Sequence, residues 1–463
     1  MCYKLIIKTM NNHLLNIKPT TMKQENRVVE YHLTASEFNW EIKPGKNITA
    51  WGFNNQVPGP ILRAKKGDTL IVRVQNNLPE STMVHWHGIR LPATMDGTGE
   101  VQQSILPGQS FEYRFILPDA GTFWYHSHQN ETVQMEKGMY GGIVVEDDTD
   151  PVMDTEKVLV LDDMKLTTNN EFEQHGPVGR WIERHDGREG STNLINGKES
   201  LTLHMHAGQT ERWRIINAAS ARYFKLSLDG NPFKVIATDG GLLEYARTVT
   251  ELLITPGERF DIAVGPFEEG EVFSINSLPY NRVTMLKAKL QKYATVHIME
   301  KKQSIASLPE NLTEIISLAP QDAKVNRKVK LSVDPSLKHV IDFRVNNEMH
   351  GMDKPVMVDH LQVWEVSNTS LMDHPFHLHG FFFQVLEENG KAPEYKAWKD
   401  TYNLKPRTKI KIAWMPDNRP GKWMYHCHII EHHAAGMMAN FEVVDPFHPA
   451  PEKQEPYHGC HGK

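Results

Sequence analysis

The sequence predicts an all-β protein built from three related domains. At 463 residues the chain is too long for one ordinary core, and usual domain sizes suggest about three domains. Short runs of alternating β-branched and aromatic residues lie between Pro, Gly, Asn and Asp, which is the pattern of a β-sandwich or barrel. No long helical period competes with this pattern. The third observation is a threefold internal repeat, described next.

Two sequence elements recur three times along the chain. The first ends in asparagine and occupies residues 66–76, 207–217 and, in a weaker copy, 359–368. The second begins with proline and occupies residues 107–112, 256–261 and 406–410. The repeat predicts domains at 27–150, 151–305 and 306–446, between an irregular N-terminal segment at 1–26 and an irregular tail at 447–463.

Composition excludes several classes of function. The net charge of −6 without a long basic run gives no electrostatic surface for nucleic acid. No apolar run approaches the roughly 18 residues that a membrane span needs. With only Cys2, Cys427 and Cys460, a disulfide framework is also excluded. The first 26 residues lack the apolar core and cleavage site of a secretory signal.

The stretch His426-Cys427-His428, continued to His432 and Met437, carries the strongest chemical signal. Side chains alternate faces on a strand, so His426 and His428 point to one side and Cys427 to the other. A metal on each side is therefore possible. Cysteine with histidines and a weak methionine ligand is the donor set of a blue-copper site, which suggests Cys427, His432 and Met437.

Four histidine pairs accompany this stretch, each with two imidazoles on one face of a predicted strand. The pairs are His85 and His87, His126 and His128, His377 and His379, and His426 and His428. His85 and His377 each follow the repeat asparagine by nine residues, whereas the middle copy has Leu226 there. Tolerated core histidines would have no reason to follow the repeat in this way, so the pattern predicts metal binding by the outer domains.

The histidines alone do not identify the metal. Imidazole suits zinc, copper, iron and nickel, and eight strand histidines are too many for a single four-coordinate zinc. The thiolate of Cys427 favours copper.

In this order, the four motifs resemble those of the three-domain multicopper oxidases, which include laccases, spore-coat laccase, cuprous oxidase and copper-tolerance oxidases. The resemblance covers about residues 28 to 446. It implies three cupredoxin-like Greek-key β-barrel or sandwich domains. It also implies four copper ions, one of type 1, one of type 2 and two of type 3, and coupling of four one-electron oxidations to reduction of O2 to water.

The resemblance also assigns the ligands. The type 1 copper would be bound by His374, Cys427 and His432, with Met437 as axial ligand. His85 and His377 would hold the type 2 copper. One type 3 copper would be bound by His87, His126 and His428, and the other by His128, His379 and His426.

Oxygen reduction needs protons, and a carboxylate near the metals could supply them. Asp96 matches by spacing the acid that relatives carry. After the type 1 histidine, spore-coat laccase and cuprous oxidase have glutamate, whereas this chain has His433. We hypothesise that His433 or Glu431 serves instead, because histidine titrates near neutral pH.

The resemblance implies a laccase-like oxidase of phenols and aromatic amines. An alternative is a metallo-oxidase of Cu(I) or Fe(II) in copper tolerance, and an alternative of another class is a copper-binding scaffold without catalysis. The expected partners are O2 and small reductants, with no nucleic acid and no membrane, and we expect a monomer. Relatives are usually exported, so a periplasmic or secreted location is expected, although without a visible signal a cytoplasmic location stays possible.

Overall fold

The structure is a computed structural model that describes residues 27–173, 177–285, 287–450 and 452–458. The predicted N-terminal segment, Cys2 and Cys460 lie outside these ranges. Strands dominate, and six sheets form three pairs along the chain. The all-β prediction is confirmed, with three cupredoxin-like domains. Within the described ranges, no helix is long and apolar enough to cross a bilayer.

The first domain pairs one sheet of order β2-β1-β4-β6-β32 with another of order β3-β8-β7-β5. Its strands are β1 (Val28–Lys43), β2 (Lys46–Phe53), β3 (Gly59–Lys65), β4 (Thr69–Asn76), β5 (Val84–His87), β6 (Gln109–Ile116), β7 (Gly121–Ser127), β8 (Tyr140–Glu146) and, from the tail, β32 (Tyr457–His458).

The middle domain has sheets of order β11-β10-β9-β13-β18-β15-β16 and β12-β20-β19-β14-β17. Its strands are β9 (Thr155–Met164), β10 (Thr192–Ile195), β11 (Lys198–Glu199), β12 (Leu201–His206), β13 (Glu211–Asn217), β14 (Phe224–Ser227), β15 (Phe233–Thr238), β16 (Gly241–Val249), β17 (Glu251–Ile254), β18 (Arg259–Val264), β19 (Val272–Leu278) and β20 (Gln291–Met299).

The third domain has sheets of order β22-β21-β25-β29-β27 and β23-β31-β30-β26-β28, with β24 also paired to β31. Its strands are β21 (Arg327–Ser336), β22 (Val340–Val345), β23 (Gly351–Met352), β24 (Val356–Met357), β25 (Gln362–Asn368), β26 (His374–Leu378), β27 (Phe383–Glu388), β28 (Thr401–Leu404), β29 (Lys409–Trp414), β30 (Gly421–Cys427) and β31 (Met438–Val444).

The repeat asparagine makes the same hydrogen bonds in every domain. The amide nitrogen of Asn76 donates to the Ile105 carbonyl, that of Asn217 to Ile254, and that of Asn368 to Leu404. Each side-chain oxygen accepts the backbone N–H two residues further on. A buried amide needs these partners, so the asparagine fixes the loop that leads into β5, β14 or β26.

Helices are short and lie between strands. They are a 3₁₀ turn (Ala93–Met95), α1 (Glu131–Gln134), α2 (Pro177–Asp186) and α3 (Ile430–Ala434). α1 follows the strand of His126, and α3 follows the strand of Cys427. α2 is an insertion of the middle domain.

The prediction of an irregular tail needs one correction. β32 pairs antiparallel with β6, and the Gln454 N–H donates to the Val101 carbonyl. Without the tail, β6 would be the edge of its sheet, with free backbone donors and acceptors. The tail pairs with one end of this edge, at Gln109 and Ser110.

Buried apolar side chains show how the domains are joined. Residues of the first and third domains, including Trp86, Tyr125, Phe376 and Tyr425, belong to one continuous cluster. The middle domain has a separate core, which contains Leu226. The strands that carry the histidines of the outer domains therefore pack on one shared apolar core.

Candidate metal centre

The four histidine pairs meet where the first and third domains face each other. His85 lies opposite His126 in the β5–β7 pair, and His377 lies opposite His426 in the β26–β30 pair. Across the domain boundary, the His85 ring stacks on His379 with centroids 3.9 Å apart, and His87 stacks on His377 at 3.8 Å. All eight side chains are at most 9% exposed. Together they form one buried group, called here the eight-histidine cluster.

Two backbone contacts orient equivalent imidazoles in the same way. His85 Nδ1 donates to the Asp96 carbonyl at 2.8 Å, and His377 Nδ1 donates to the Asp400 carbonyl at 3.0 Å. His126 and His426 each donate Nδ1–H to the carbonyl of the next residue. A carbonyl only accepts, so these contacts leave Nε2 as the free lone pair.

The free nitrogens are suited to binding metal cations. Buried imidazole nitrogens without a protein partner are His85 Nε2, His87 Nδ1, His126 Nε2, His128 Nε2, His377 Nε2 and both nitrogens of His428. His379 Nε2 lies 3.0 Å from His426 Nε2, although both rings carry their proton on Nδ1. Two lone pairs cannot hydrogen-bond to each other, but they can share a metal ion. The residues therefore fit a group of metal ions.

Burial favours the neutral form of six of these imidazoles, which is the form that binds metal. It lowers the pKa of most members well below the ordinary value; these are His87, His126, His379, His426 and His428. The pKa of His377 is lowered as well. His128 differs: burial lowers its pKa, but the nearby Glu131 carboxylate outweighs this and raises it.

Two aspartates form hydrogen bonds across the boundary between the outer domains. The Asp96 carboxylate of the first domain accepts from His379 Nδ1 of the third at 2.9 Å. Reciprocally, Asp400 of the third domain accepts from His87 Nε2 of the first at 3.1 Å. The second contact explains why His87 presents Nδ1 to the cluster, whereas His85, His126 and His377 present Nε2.

The environments of the two aspartates differ. Asp400 receives a bidentate contact from Arg259, which is fully buried in the middle domain. Burial acts to raise the pKa of Asp400, but Arg259 holds it well below the ordinary range. Asp96 has one carboxylate oxygen, Oδ1, without a hydrogen-bond partner. Asp400 is thus fixed as an anion, whereas Asp96 retains a free acceptor beside the cluster.

A second set of donors lies on the other face of β30. His374 Nδ1 and His432 Nδ1 are 3.2 Å apart, and Cys427 Sγ lies 3.5 and 3.6 Å from them. His374 donates Nε2–H to Ser370, and His432 donates Nε2–H to the backbone carbonyl of His185 in α2. Both Nδ1 lone pairs therefore face the sulfur, which is the arrangement for a trigonal metal site.

Burial shifts the pKa values of these donors. It lowers the pKa of His374 to about 3 and that of His432 well below the ordinary value, so both are neutral. It also raises the pKa of the Cys427 thiol, so a bound cation would have to stabilise the thiolate. Met437 is fully buried in the same apolar cluster, and Phe343 stacks on the His432 ring at 4.2 Å.

The two predicted relay residues lie in different environments. Glu431 accepts the backbone N–H of Arg188 in the middle domain at 3.1 Å. The His433 ring stacks on His426 at 4.3 Å, and its Nδ1 donates to Glu131 of the first domain at 2.7 Å. His433 therefore borders the eight-histidine cluster, whereas Glu431 faces the middle domain.

Sequence reasoning missed Asp400, Arg259 and Glu131. Asp400 is the structural counterpart of Asp96, but it follows its histidine, His377, by 23 residues, whereas Asp96 follows His85 by 11. The different loop lengths hide the equivalence. The second repeat element was a usable signal for Arg259, because it contains that residue two positions after Gly257 in the middle copy.

The comparisons with known proteins agree with this geometry. Family models described as multicopper oxidase match residues 34–150, 156–304 and 320–446. The chain is 30% identical to a multicopper oxidase of Staphylococcus aureus, over 91% of this chain and 90% of the relative. It is 31% identical to multicopper oxidase MmcO of Mycobacterium tuberculosis, over 86% of this chain and 84% of the relative.

A solved structure, described as the multicopper oxidase of Campylobacter jejuni, a metallo-oxidase, is similar over most of its length. It has a TM-score of 0.81 and 30% sequence identity, and the match covers 92% of this chain and 93% of that one. The chain belongs to the multicopper oxidase family of oxidoreductases, which use copper cofactors, O2 and a reducing substrate.

Proposed function

We propose that this chain is a laccase-like oxidase of phenols and aromatic amines. Four substrate molecules would each lose one electron and one proton, and the four electrons and four protons would convert one O2 to two waters. The observation that carries the proposal is the pair of buried donor sets on opposite faces of one strand, β30. A protein that only stores copper has no need to join two sets in this way.

The ligands would be shared among four copper ions, as in relatives. His374, Cys427, His432 and Met437 would hold the type 1 ion. His85 and His377 would hold the type 2 ion. His87, His126 and His428 would hold one type 3 ion, and His128, His379 and His426 the other. Bound copper would supply the one-electron chemistry and the site for O2 that the side chains lack.

The chain itself links the two sets. Cys427 belongs to the substrate-side set, and its direct neighbours His426 and His428 belong to the eight-histidine cluster. Only peptide and side-chain bonds separate them. This covalent path is the shortest connection between the sets that the chain offers.

Protons would enter beside the cluster. Asp96 accepts from His379 through Oδ2 and has no hydrogen-bond partner at Oδ1, so this oxygen is placed to deliver a proton beside the eight-histidine cluster. His433 or Glu431 would be the second relay group. The contacts of His433 with His426 and Glu131 favour His433.

A second candidate is the oxidation of Cu(I) or Fe(II). Helix α2 covers the outer edge of His432, where its carbonyl accepts the Nε2–H. The last residues of this helix, His185 and Asp186, present an imidazole and a carboxylate in mutual contact at 2.6 Å. Imidazole and carboxylate groups suit metal ions better than they suit an aromatic ring. The Campylobacter jejuni relative is itself described as a metallo-oxidase.

Oxygen uptake separates these candidates. Copper-loaded protein should be supplied with a phenol, with Cu(I) and with Fe(II) in parallel, and metal-free protein serves as the control. Faster uptake with the phenol supports the laccase-like activity, and faster uptake with either metal supports the metallo-oxidase. If the loaded protein oxidises none of them, the non-catalytic copper scaffold becomes the better description.

A further inference from the structure

Glu131 is a buried carboxylate with contacts in two domains. It is the first residue of α1, in the first domain, and is 8% exposed. Its Oε1 lies 2.8 Å from His128 Nδ1, and its Oε2 accepts from His433 Nδ1 of the third domain at 2.7 Å. Each oxygen thus faces one imidazole.

The contact with His128 decides which nitrogen of this ring is free. A carboxylate beside Nδ1 favours the proton on that atom, which leaves Nε2 as the lone pair. His128 Nε2 is buried and has no protein partner. His126 and His426 have a backbone carbonyl beside Nδ1, whereas the Glu131 carboxylate lies beside Nδ1 of His128.

The contact with His433 extends to a second member of the cluster. The His433 ring stacks on His426 with centroids 4.3 Å apart and an interplanar angle of 23°. His128, His379 and His426 form one of the groups whose donor atoms converge closely enough to hold a single ion. Glu131 therefore supports two of these three imidazoles, His128 directly and His426 through His433.

The backbone that carries Glu131 is itself held in place. Three residues further on, Gln134 is fully buried and donates to the Ser81 carbonyl at 2.8 Å. Its side-chain oxygen accepts from Thr82 and Ser127 at 2.8 and 2.6 Å. These bonds anchor the single turn of α1, so the carboxylate is presented from a fixed position.

We propose that Glu131 is a positioning residue for the type 3 copper that His128, His379 and His426 would hold. Its contact with His128 orients a ligand of the first domain. Its contact with His433 orients a ligand of the third domain, His426, on which the His433 ring stacks. The inference rests on the proposed copper assignment. It goes beyond it by naming a residue that does not itself contact the metal.

The test uses Glu131→Gln, which keeps the shape but cannot accept from two imidazoles equally, and Glu131→Asp, which keeps the charge. Glu211→Gln is the matched control, because Glu211 is also a buried carboxylate but contacts Lys157 and Trp213 in the middle domain. The readouts are copper affinity by chelator competition, the fraction of copper that is silent in electron paramagnetic resonance, and the blue absorption.

We expect Glu131→Gln to weaken the binding of one copper about 10- to 100-fold, the range typical of residues that orient metal ligands. The silent fraction should fall, because two coupled ions are needed for silence, while the blue absorption stays. Glu131→Asp should restore part of the affinity, and Glu211→Gln should match the wild type.

Two results would overturn the inference while leaving the proposed function intact. One is wild-type copper affinity and silent fraction in Glu131→Gln. The other is an equal loss of all copper, including the blue absorption, which would show a general structural role. If the wild-type protein itself binds no copper, the proposed function fails and the inference fails with it.

Discussion

The outer domains and the middle domain each pair two sheets, but one equivalent strand carries different side chains. β5 and β26 carry His85 and His377, and the equivalent β14 carries Leu226. Leu226 is 3% exposed and packs in the separate core of the middle domain. The repeat asparagine makes the same bonds in all three. The fold therefore does not depend on the histidines, and where they occur they serve another purpose.

The middle domain nevertheless contacts the metal centre. Arg259 binds the Asp400 carboxylate, which in turn accepts from His87. At Gly257, an added Cβ would lie 2.8 to 3.0 Å from atoms of the His428 ring. The middle domain thus supplies no imidazole but limits where the imidazoles of its neighbours can lie.

The largest effect is expected from Arg259→Leu. Removing the arginine leaves Asp400 as a buried carboxylate without its main partner, which costs about 3–5 kcal/mol of unfolding free energy. We also expect weaker copper binding, because Asp400 no longer holds His87. Denaturant unfolding of the metal-free protein and chelator competition measure the two effects.

Arg212→Leu is the control for that change. Arg212 is also buried in the middle domain, where it pairs with Asp261 and Asp150, away from the histidines. It should destabilise the protein without a specific loss of copper affinity. Unchanged copper affinity in Arg259→Leu would contradict a positioning role for the middle domain.

A smaller effect is expected from Gly257→Ala, with Gly108→Ala as its matched control. These glycines occupy the same repeat position and both have positive φ, 87° and 82°. Alanine should cost each variant about 1–2 kcal/mol of stability from backbone strain. Only at Gly257 does the new methyl group meet a histidine ring, His428, whereas nothing lies within 4 Å at Gly108.

The spectrum of bound copper compares the two variants. Gly257→Ala should change the signals of the type 3 pair, and Gly108→Ala should leave them as in the wild type. Identical spectra in both variants would mean that the contact between the middle domain and His428 has no effect on the metal site.

A pH-dependent effect is expected from Glu136. Burial raises the pKa of this carboxyl from 4.5 to about 8, although Arg188 opposes the shift, and Asp163 and Glu431 add to it. The folded protein therefore binds the proton more tightly than the unfolded chain. The resulting stabilisation is complete below pH 4.5 and is lost as the pH rises through about 8.

Glu136→Gln should flatten this dependence, by up to about 1.4 kcal/mol per pH unit. Denaturant midpoints of metal-free protein across the range measure it. If the variant and the wild type lose stability in parallel as the pH rises, Glu136 does not hold a proton in the folded state.

Much of the fold, and the convergence of the candidate ligands, could be predicted from the sequence. The repeat asparagine and the strand alternation depend on local rules, so the three domains and the two faces of Cys427 follow from nearby residues. Leu226 in the middle copy indicated that the outer histidines bind metal. The copper ligand assignment remains a prediction.

The residues that orient the ligands could not be predicted, because they depend on contacts between distant segments. Asp400 reaches His87 across 313 positions, and His433 reaches Glu131 across 302. Such contacts have no fixed spacing in the chain. The pairing of the tail with β6 is a similar case, since nothing in residues 452–458 alone indicates a strand.

The proposal that both donor sets at β30 bind copper can be tested directly. The measurements are copper content and colour in the wild type and in Cys427→Ser. We predict about four copper ions per wild-type chain, and about three in the variant, since a serine hydroxyl is a poor substitute for thiolate. The variant should lose the blue absorption and substrate oxidation together. A wild-type protein that binds at most one copper, or a variant that stays blue, would contradict the proposal of two copper-binding sets joined at Cys427.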